Sequence, residues 1–109
     1  MENKSSIYLF IIHLCVSFIM AGTEGQIRGR VSSLEGEGLI GAQVFIEELG
    51  IGAVADPDGN YILINVPVGT YDVTASMISY RTTIFSNVAV IMDNTVWLNF
   101  TLDVEAIEG

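Results

Sequence analysis

Apolar and polar side chains alternate along several short segments of this chain, and this pattern limits the available folds more than any other feature. The clearest segment is YDVTASM, in which Tyr71, Val73, Ala75 and Met77 alternate with polar residues. A period of two places successive side chains on opposite faces of a strand, so that one face is buried and the other is solvated. Beyond residue 25, no window repeats apolar residues at helical spacing for more than one turn. The pattern predicts an all-β domain in which two sheets pack face to face.

The alternation predicts seven strands, each of which is closed by Gly, Pro, Asn or Asp. The Gly-rich stretch at 33–41 predicts a loop, and PDGN at 57–60 predicts a turn in which Asp-Gly supplies the residue at positive φ. The predicted strands are 26–32, 42–49, 50–56, 61–66, 71–77, 82–92 and 95–102.

Three of these segments carry finer expectations. The fourth is apolar on both faces, as in a central strand, and leaves open whether Tyr61 and Leu63 or Ile62 and Ile64 face the core. The sixth is irregular and predicts a bulge near Ser86–Asn87. In the last segment, the side chains expected to face the core are Val96, Leu98, Phe100 and Leu102.

The N-terminal residues differ from the rest of the chain. A short polar start containing Lys4 precedes an apolar run from Ile7 to Met20, and small residues follow. This three-part order is typical of a secretory signal peptide. The apolar run is shorter than the ~20 residues that a membrane-spanning helix needs. We therefore interpret 1–21 as a helical signal peptide, cleaved after Ala21 or within the next few residues.

Cleavage would leave little chemistry in the exported chain. The signal peptide contains the only cysteine, histidine and lysine of the sequence, which are Cys15, His13 and Lys4. An exported chain without cysteine forms no disulfide and depends on packing for its stability. Nucleophilic catalysis needs a base beside the nucleophile, and a zinc peptidase site needs His or Cys ligands. The sequence thus predicts a protein that is not an enzyme, with no catalytic residues and no cofactor.

The charge excludes two classes of partner. Thirteen acidic residues against four basic ones give a formal net charge of −9. Nucleic acids and anionic membrane surfaces are bound by clustered Lys and Arg, so neither is an expected partner. The acidic residues are dispersed and are expected to keep the domain soluble.

Asp56 and Asp58 are the only candidates for a metal site, and they are weak ones. They flank Pro57 in the predicted turn, with Asn60 beyond. Calcium loops space several oxygen ligands over about twelve residues and end in a bidentate Glu, and the remainder of such a set is missing here. Paired glycosidase carboxylates need a cleft, which a turn tip does not provide. A turn held by Asx hydrogen bonds is the favoured interpretation.

An ordered series of motifs resembles the carboxypeptidase regulatory-like domain. That family has Gly-x-Val on its first strand, Gly-Ala-x-Val on its second, Asp-x-x-Gly and an aromatic residue after its third, and then a Pro-x-Gly-x-Tyr turn. This sequence departs from the pattern at Ser79, where the family often has Gly before the aromatic residue near Tyr80. The matching residues are Gly29, Val31, Gly41, Ala42, Val44, Asp56, Gly59, Tyr61, Pro67, Gly69 and Tyr71.

The resemblance implies a seven-stranded antiparallel Greek-key β-sandwich of the transthyretin (prealbumin) type over residues 26–103. Gly41 is expected to avoid a collision where the second strand begins, and Gly59 and Gly69 are expected to occupy turn positions at positive φ. Tyr61 and Tyr71 each follow a turn and are expected to close the ends of the core, with their hydroxyls on backbone or water.

The resemblance also implies a biological setting. Similar domains precede the plug and barrel of TonB-dependent receptors in the outer membrane of Gram-negative bacteria, and residues 104–109 are similar to the linker that leads into such a plug. The expected function is therefore an exported, non-catalytic docking domain, truncated or stand-alone, that acts in the periplasm or at the outer membrane and binds a protein partner or a downstream receptor domain.

Two alternatives remain open at this stage. The first is a carbohydrate-binding-like module with Trp97 and Tyr80 as platforms for a sugar ring. The second is the regulatory domain of a secreted carboxypeptidase. Phe45 and Trp97 point away from the main core face on the predicted alternation, so the candidate interaction residues are Phe45, Tyr80 and Trp97.

Overall fold

The structure is a computed structural model that describes residues 23–105. The predicted signal peptide (1–21) and residues 106–109 lie outside this range. The described residues form two β-sheets, with one short 3₁₀ turn at Glu47–Leu49, so the prediction of an all-β, two-sheet domain is confirmed. No helix between residues 23 and 105 is long and apolar enough to cross a membrane.

Residues 23–105 contain eight strands, one more than the seven that were predicted. One sheet has the order β4-β1-β7, with β8 also paired to β1, and the other has the order β3-β2-β5-β6. The strands are β1 (Glu24–Ser33), β2 (Gln43–Ile46), β3 (Ile51–Val54), β4 (Asn60–Pro67), β5 (Gly69–Ser76), β6 (Thr83–Val90), β7 (Thr95–Trp97) and β8 (Phe100–Leu102).

The core lies between the two sheets and is built from alternate side chains of the strands. Each large apolar side chain that is fully buried contributes roughly 1.5–3 kcal/mol to folding. Phe100 lies near the centre, where its ring contacts Phe85 and Tyr61 at centroid distances of 4.9 and 6.1 Å. The largest fully buried side chains are Phe100, Ile27, Ile46, Leu63, Leu102, Val31, Val44, Val66, Val73 and Val90.

Strand β4 lies at the edge of its sheet. The expectation that it is a central strand, which was based on its two apolar faces, is therefore wrong. Its described strand pairing is with β1. Tyr61 and Leu63 face the core, whereas Ile62 and Ile64 are 39% and 57% exposed. A register shift beside Asn65, which has φ 55°, then returns the next residue to the core. The second apolar face of β4 is therefore an outer surface.

The last predicted strand, 95–102, is interrupted and forms β7 and β8. The interruption falls at Leu98 and Asn99. The Leu98 N–H still donates to the Arg28 carbonyl of β1 at 2.8 Å, but the Leu98 carbonyl accepts from the Tyr61 hydroxyl at 2.5 Å. The Arg30 N–H donates to Asn99 Oδ1 at 3.0 Å, so side chains replace backbone partners at the interruption.

The pairing of β1 with β7 and β8 is parallel, which corrects the wholly antiparallel sandwich that was expected. The chain crosses from one sheet to the other after β6, and it therefore runs beside β1 in the same direction. Gly29 permits the close approach, because a Cβ at this position would overlap the Leu98 carbonyl. Phe100 and Leu102 are buried as expected, while Val96 and Leu98 are only partly buried against the core.

The bulge predicted in the sixth strand is confirmed. Between Tyr71 and Val73 on β5, the register on β6 advances by one extra residue. Asn87 adopts φ 59° at this point, and its backbone N–H donates to Asp72 Oδ1 at 3.3 Å. Asn tolerates the left-handed conformation better than most residues, which explains its place in the bulge.

The turn glycines act differently from one another. Gly59 has φ +86° and also packs tightly, because a Cβ there would overlap the Val31 carbonyl oxygen and lie 2.8 Å from the Cα of Gly38. Gly41 has the same φ of +86°, but no atom lies within 4 Å of a Cβ placed there. The prediction that glycine avoids a collision at this position is therefore wrong. Glycine is favoured at Gly41 because of its positive φ.

Gly69 does not have the positive φ that was expected of it. A Cβ at Gly69 would instead lie 2.7 Å from the hydroxyl of Tyr71. That hydroxyl donates to the Pro67 carbonyl at 2.8 Å, so the tyrosine ring folds back over its own turn. Gly69 is thus required by the path of the Tyr71 side chain, and the two residues together close this end of the core.

The Gly59 geometry predicts a difference between two glycines at nearly the same φ. Gly36 has φ +89° with no atom within 4 Å of a Cβ, whereas Gly59 at φ +86° is crowded by backbone. Gly36→Ala should lower the free energy of unfolding by about 1 kcal/mol through conformational strain alone. Gly59→Ala should cost at least ~2 kcal/mol more, because backbone atoms must also move. Urea denaturation of both variants measures this, and equal losses would contradict the packing described at Gly59.

Tyr61 predicts a specific dependence of stability on alkaline pH. Burial raises the pKa of the Tyr61 phenol above its ordinary value of about 10. Above about pH 10 the unfolded chain loses this proton while the folded chain keeps it, so stability is complete below that pH and falls as the pH rises. Tyr61→Phe should be less stable at pH 8 by about 1–2 kcal/mol, since the Leu98 carbonyl loses its partner.

The two proteins should differ in the slope of the free energy of unfolding against pH. Between about pH 10 and 11.5, the parent should lose up to ~1.4 kcal/mol per pH unit more than Tyr61→Phe. Denaturation curves collected across this range supply both slopes, and Tyr71 and Tyr80 are common to the two proteins. Parallel curves would show that the Tyr61 proton is not coupled to folding.

Candidate functional site

The outer face of the β4-β1-β7 sheet carries the most exposed aromatic side chain of residues 23–105. Arg28 of β1 pairs with Ile62 of β4 on one side and with Trp97 of β7 on the other. Directly paired residues of neighbouring strands project from the same face of a sheet. Ile62, Arg28 and Trp97 therefore form a row across three strands, in which Trp97 is 70% exposed.

This row forms part of an open groove of about 520 Å³. Further lining residues come from the end of β3, where Val54 is 63% exposed, and from the turn that follows it. We refer to the groove as the Trp97 groove and define it by its side chains Arg28, Val54, Asp56, Asn60, Ile62 and Trp97.

The two arginines of β1 have different environments. Arg30 is fixed, since its Nε donates to the Asp58 carbonyl at 2.8 Å and its Nη2 donates to the Gly36 carbonyl at 3.0 Å. Arg28 donates only from Nε, to Gln26 Oε1 at 2.8 Å. Within residues 23–105 no carboxylate forms an ion pair with Arg28. Its terminal nitrogens thus remain free to donate hydrogen bonds into the Trp97 groove.

The Asp56–Asn60 turn has the Asx geometry that the sequence favoured. Asp56 Oδ1 accepts hydrogen bonds from the backbone N–H groups of Asp58 and Asn60, both at 2.9 Å. In the part of the chain described here, no group of three or more His, Cys, Asp or Glu side chains is placed to hold a metal ion. The Asp56 side chain thus holds the turn, and Asp56 also lines the Trp97 groove.

The three interaction residues proposed from the sequence lie on three separate surfaces. Trp97 lines the groove on one sheet. Phe45 is half-buried on the outer face of the other sheet, opposite Gly52 and Thr74. Tyr80 forms an isolated bridge with Val104 and is partly buried against the core. The structure therefore does not bring these three residues together.

Sequence reasoning missed the neighbours of Trp97. Alternation places Arg28 and Trp97 on outward positions, but their register depends on a parallel pairing between strands that are far apart in the chain. Asn60 lines the groove from the start of β4, and Val54 lines it from the other sheet. Ile78, which is 90% exposed, was also missed, because it lies in a turn where no alternation applies.

Comparisons with solved structures find similar folds in bacterial proteins. Chains in two mutant type II cohesin–X–dockerin complexes from Acetivibrio cellulolyticus match with TM-scores of 0.65 and 0.63, each at 21% identity. These matches cover 73% and 72% of this chain, and 58% and 56% of the matched chains. At this level of identity the similarity shows the fold alone.

Two further structures have lower scores. The Bacillus anthracis TIE protein matches with a TM-score of 0.61 and 19% identity, over 75% of this chain and 17% of its own. A Bacteroides uniformis protein, described as a candidate carbohydrate-binding protein, matches with a TM-score of 0.57 and 17% identity, over 74% of this chain and 42% of its own. The chain thus spans less than two thirds of the length of each of these proteins.

A comparison with curated proteins gives no match. The profile of the carboxypeptidase regulatory-like domain, in contrast, matches residues 26–103, which include β1 to β8 apart from the first two residues of β1. This range contains every motif residue on which the resemblance was based. The chain therefore belongs to the carboxypeptidase regulatory-like domain family.

Proposed function

We propose that this domain is an exported, non-catalytic docking module, and specifically the N-terminal module of a TonB-dependent outer-membrane receptor. The observation that carries the proposal is an exposed apolar cluster at the place where the described chain ends. It consists of the exposed side chains of Ile78 and Val104 and of Tyr80, which is partly buried against the core, and we call it the exit cluster. Ile78 is 90% exposed and Val104 is 59% exposed.

The exit cluster is held in place by backbone hydrogen bonds. Ser79 adopts φ 73°, and the Tyr80 N–H closes the turn on the Met77 carbonyl at 3.0 Å. The last described residues then run alongside this turn. The Arg81 N–H donates to the Asp103 carbonyl at 2.8 Å, and the Glu105 N–H donates to the Ser79 carbonyl at 2.9 Å.

This arrangement brings the last described residues, Val104 and Glu105, alongside the turn that contains Ile78. Ile78 is almost fully exposed at this turn, and Val104 is exposed on the segment beside it. Adjacent exposed apolar side chains of this kind mark contact surfaces. Domains joined within one chain commonly meet through interfaces of moderate size near the connecting segment. The exit cluster therefore supports the proposal that this domain contacts receptor domains.

Two further observations support a docking role. The family to which the chain belongs is a regulatory type of domain, and two of the similar folds occur in cohesin–X–dockerin complexes, which are protein–protein assemblies. The net charge of −9 keeps such a module soluble after export and favours a partner that is not itself strongly acidic.

Site-specific photo-crosslinking in the native bacterium tests this function. A benzophenone amino acid replaces Ile78 in the exit cluster, and as a matched control it replaces Ile84, which is 55% exposed on β6. Position 78 should crosslink to the plug of a TonB-dependent receptor, within one polypeptide or between two. The product should fractionate with the outer membrane, and position 84 should give no such product.

Three results would contradict the proposal. These are equal crosslinking from positions 78 and 84, a product that contains a secreted carboxypeptidase, and a chain that remains in the cytoplasm. The second result would favour the regulatory domain of a secreted carboxypeptidase, which is the alternative that the family name suggests.

A further inference from the structure

We infer that the Trp97 groove is a binding site for a neutral oligosaccharide. This site is separate from the exit cluster, and the inference goes beyond the docking function proposed above. It is drawn from the side chains that the fold places together in the groove and from the hydrogen-bonding groups that these side chains leave unused.

The first observation is the placement of Trp97. An indole that is 70% exposed contributes little to the core, although its strand neighbour Val96 packs against the core. Parallel pairing with β1 fixes the Trp97 backbone, and Ile62 and Val54 supply further apolar surface within the groove. An apolar surface of this kind complements the C–H face of a pyranose ring, as it does the apolar parts of small ligands generally.

The second observation is the set of polar groups that line the groove. The terminal nitrogens of Arg28 are free donors, and Asp56 Oδ2 is an acceptor without a hydrogen bond in residues 23–105. The side-chain amide of Asn60, which lines the same groove, makes no hydrogen bond with the described residues and offers both a donor and an acceptor. The groove thus presents donors and acceptors together around an aromatic ring.

The third observation is that Arg28 and Asp56 line one groove without pairing with each other. A carboxylate ligand would bind Arg28 but meet the charge of Asp56, and a cationic ligand would meet the charge of Arg28. Hydroxyl groups donate and accept without carrying charge, so a neutral sugar satisfies both side chains. The groove is open rather than enclosed, which fits one or two rings of an oligosaccharide chain better than a sequestered monosaccharide.

Trp97 is the only tryptophan of the chain, so a change in tryptophan fluorescence reports on this groove. The protein is titrated with neutral hexasaccharides of glucose, xylose and mannose, with hexagalacturonate and hexaglucosamine as charged probes, and with an uncharged hexapeptide. At least one neutral hexasaccharide should change the Trp97 fluorescence in a saturable manner below about 10 mM. It should bind more tightly than both charged probes and the peptide.

Calorimetry on variants locates the site. Trp97→Ala and Arg28→Met should each weaken binding of that hexasaccharide at least about tenfold, and Trp97→Tyr should retain most of the affinity, because a ring remains for stacking. The matched control Ile84→Ala removes an exposed apolar side chain from the other sheet and should bind as the parent does. Melting curves confirm that each variant is folded.

Three outcomes would overturn the inference. The first is that none of the neutral hexasaccharides binds up to about 10 mM. The second is that hexagalacturonate, hexaglucosamine or the peptide binds best. The third is that Trp97→Ala binds as tightly as the parent. Each of these outcomes leaves the crosslinking of position 78 unaffected, so the docking function and the sugar site are tested separately.

Discussion

The parallel pairing of β1 with β7 and β8 determines both the core and the outer surface of this domain. Strand β1 lies in the middle of its sheet and supplies Ile27 and Val31 to the core from one face. Its other face carries Arg28, which the pairing places beside Trp97. The same pairing brings Phe100 into the core between the sheets. The core and the candidate binding surface thus lie on opposite faces of the same paired strands.

Close approach of backbone to backbone makes this pairing feasible. The Leu98 carbonyl occupies the space that a side chain at Gly29 would need, and the Asp58 carbonyl similarly occupies the space beside Gly38. Gly29 and Gly38 therefore act by their small size, whereas Gly36 and Gly41 act by their positive φ. Because residues 23–105 contain no cysteine, no disulfide constrains them, and such local fits carry a large share of their stability.

Sequence patterns predicted the local structure well and the long-range contacts poorly. Alternation identified the inward residues of β1, β2 and β5, and the turn motifs located the Asx turn at Asp56. Alternation has no information on which strands are neighbours, so the edge position of β4 and the parallel run of β7 were not predicted. The groove around Trp97 depends on those pairings, and only its most conspicuous member was recognised from the sequence.

Nuclear Overhauser measurements on the isotopically labelled domain would show whether β1 and β7 run parallel. We expect cross-peaks between backbone protons of Arg28 and Trp97, and between those of Val31 and Phe100, with the pattern of parallel strands. Antiparallel cross-peaks between β1 and β7, or contacts of β7 with β6 in place of β1, would contradict it. Either result would separate Trp97 from Arg28 and remove the surface on which the proposed sugar site rests.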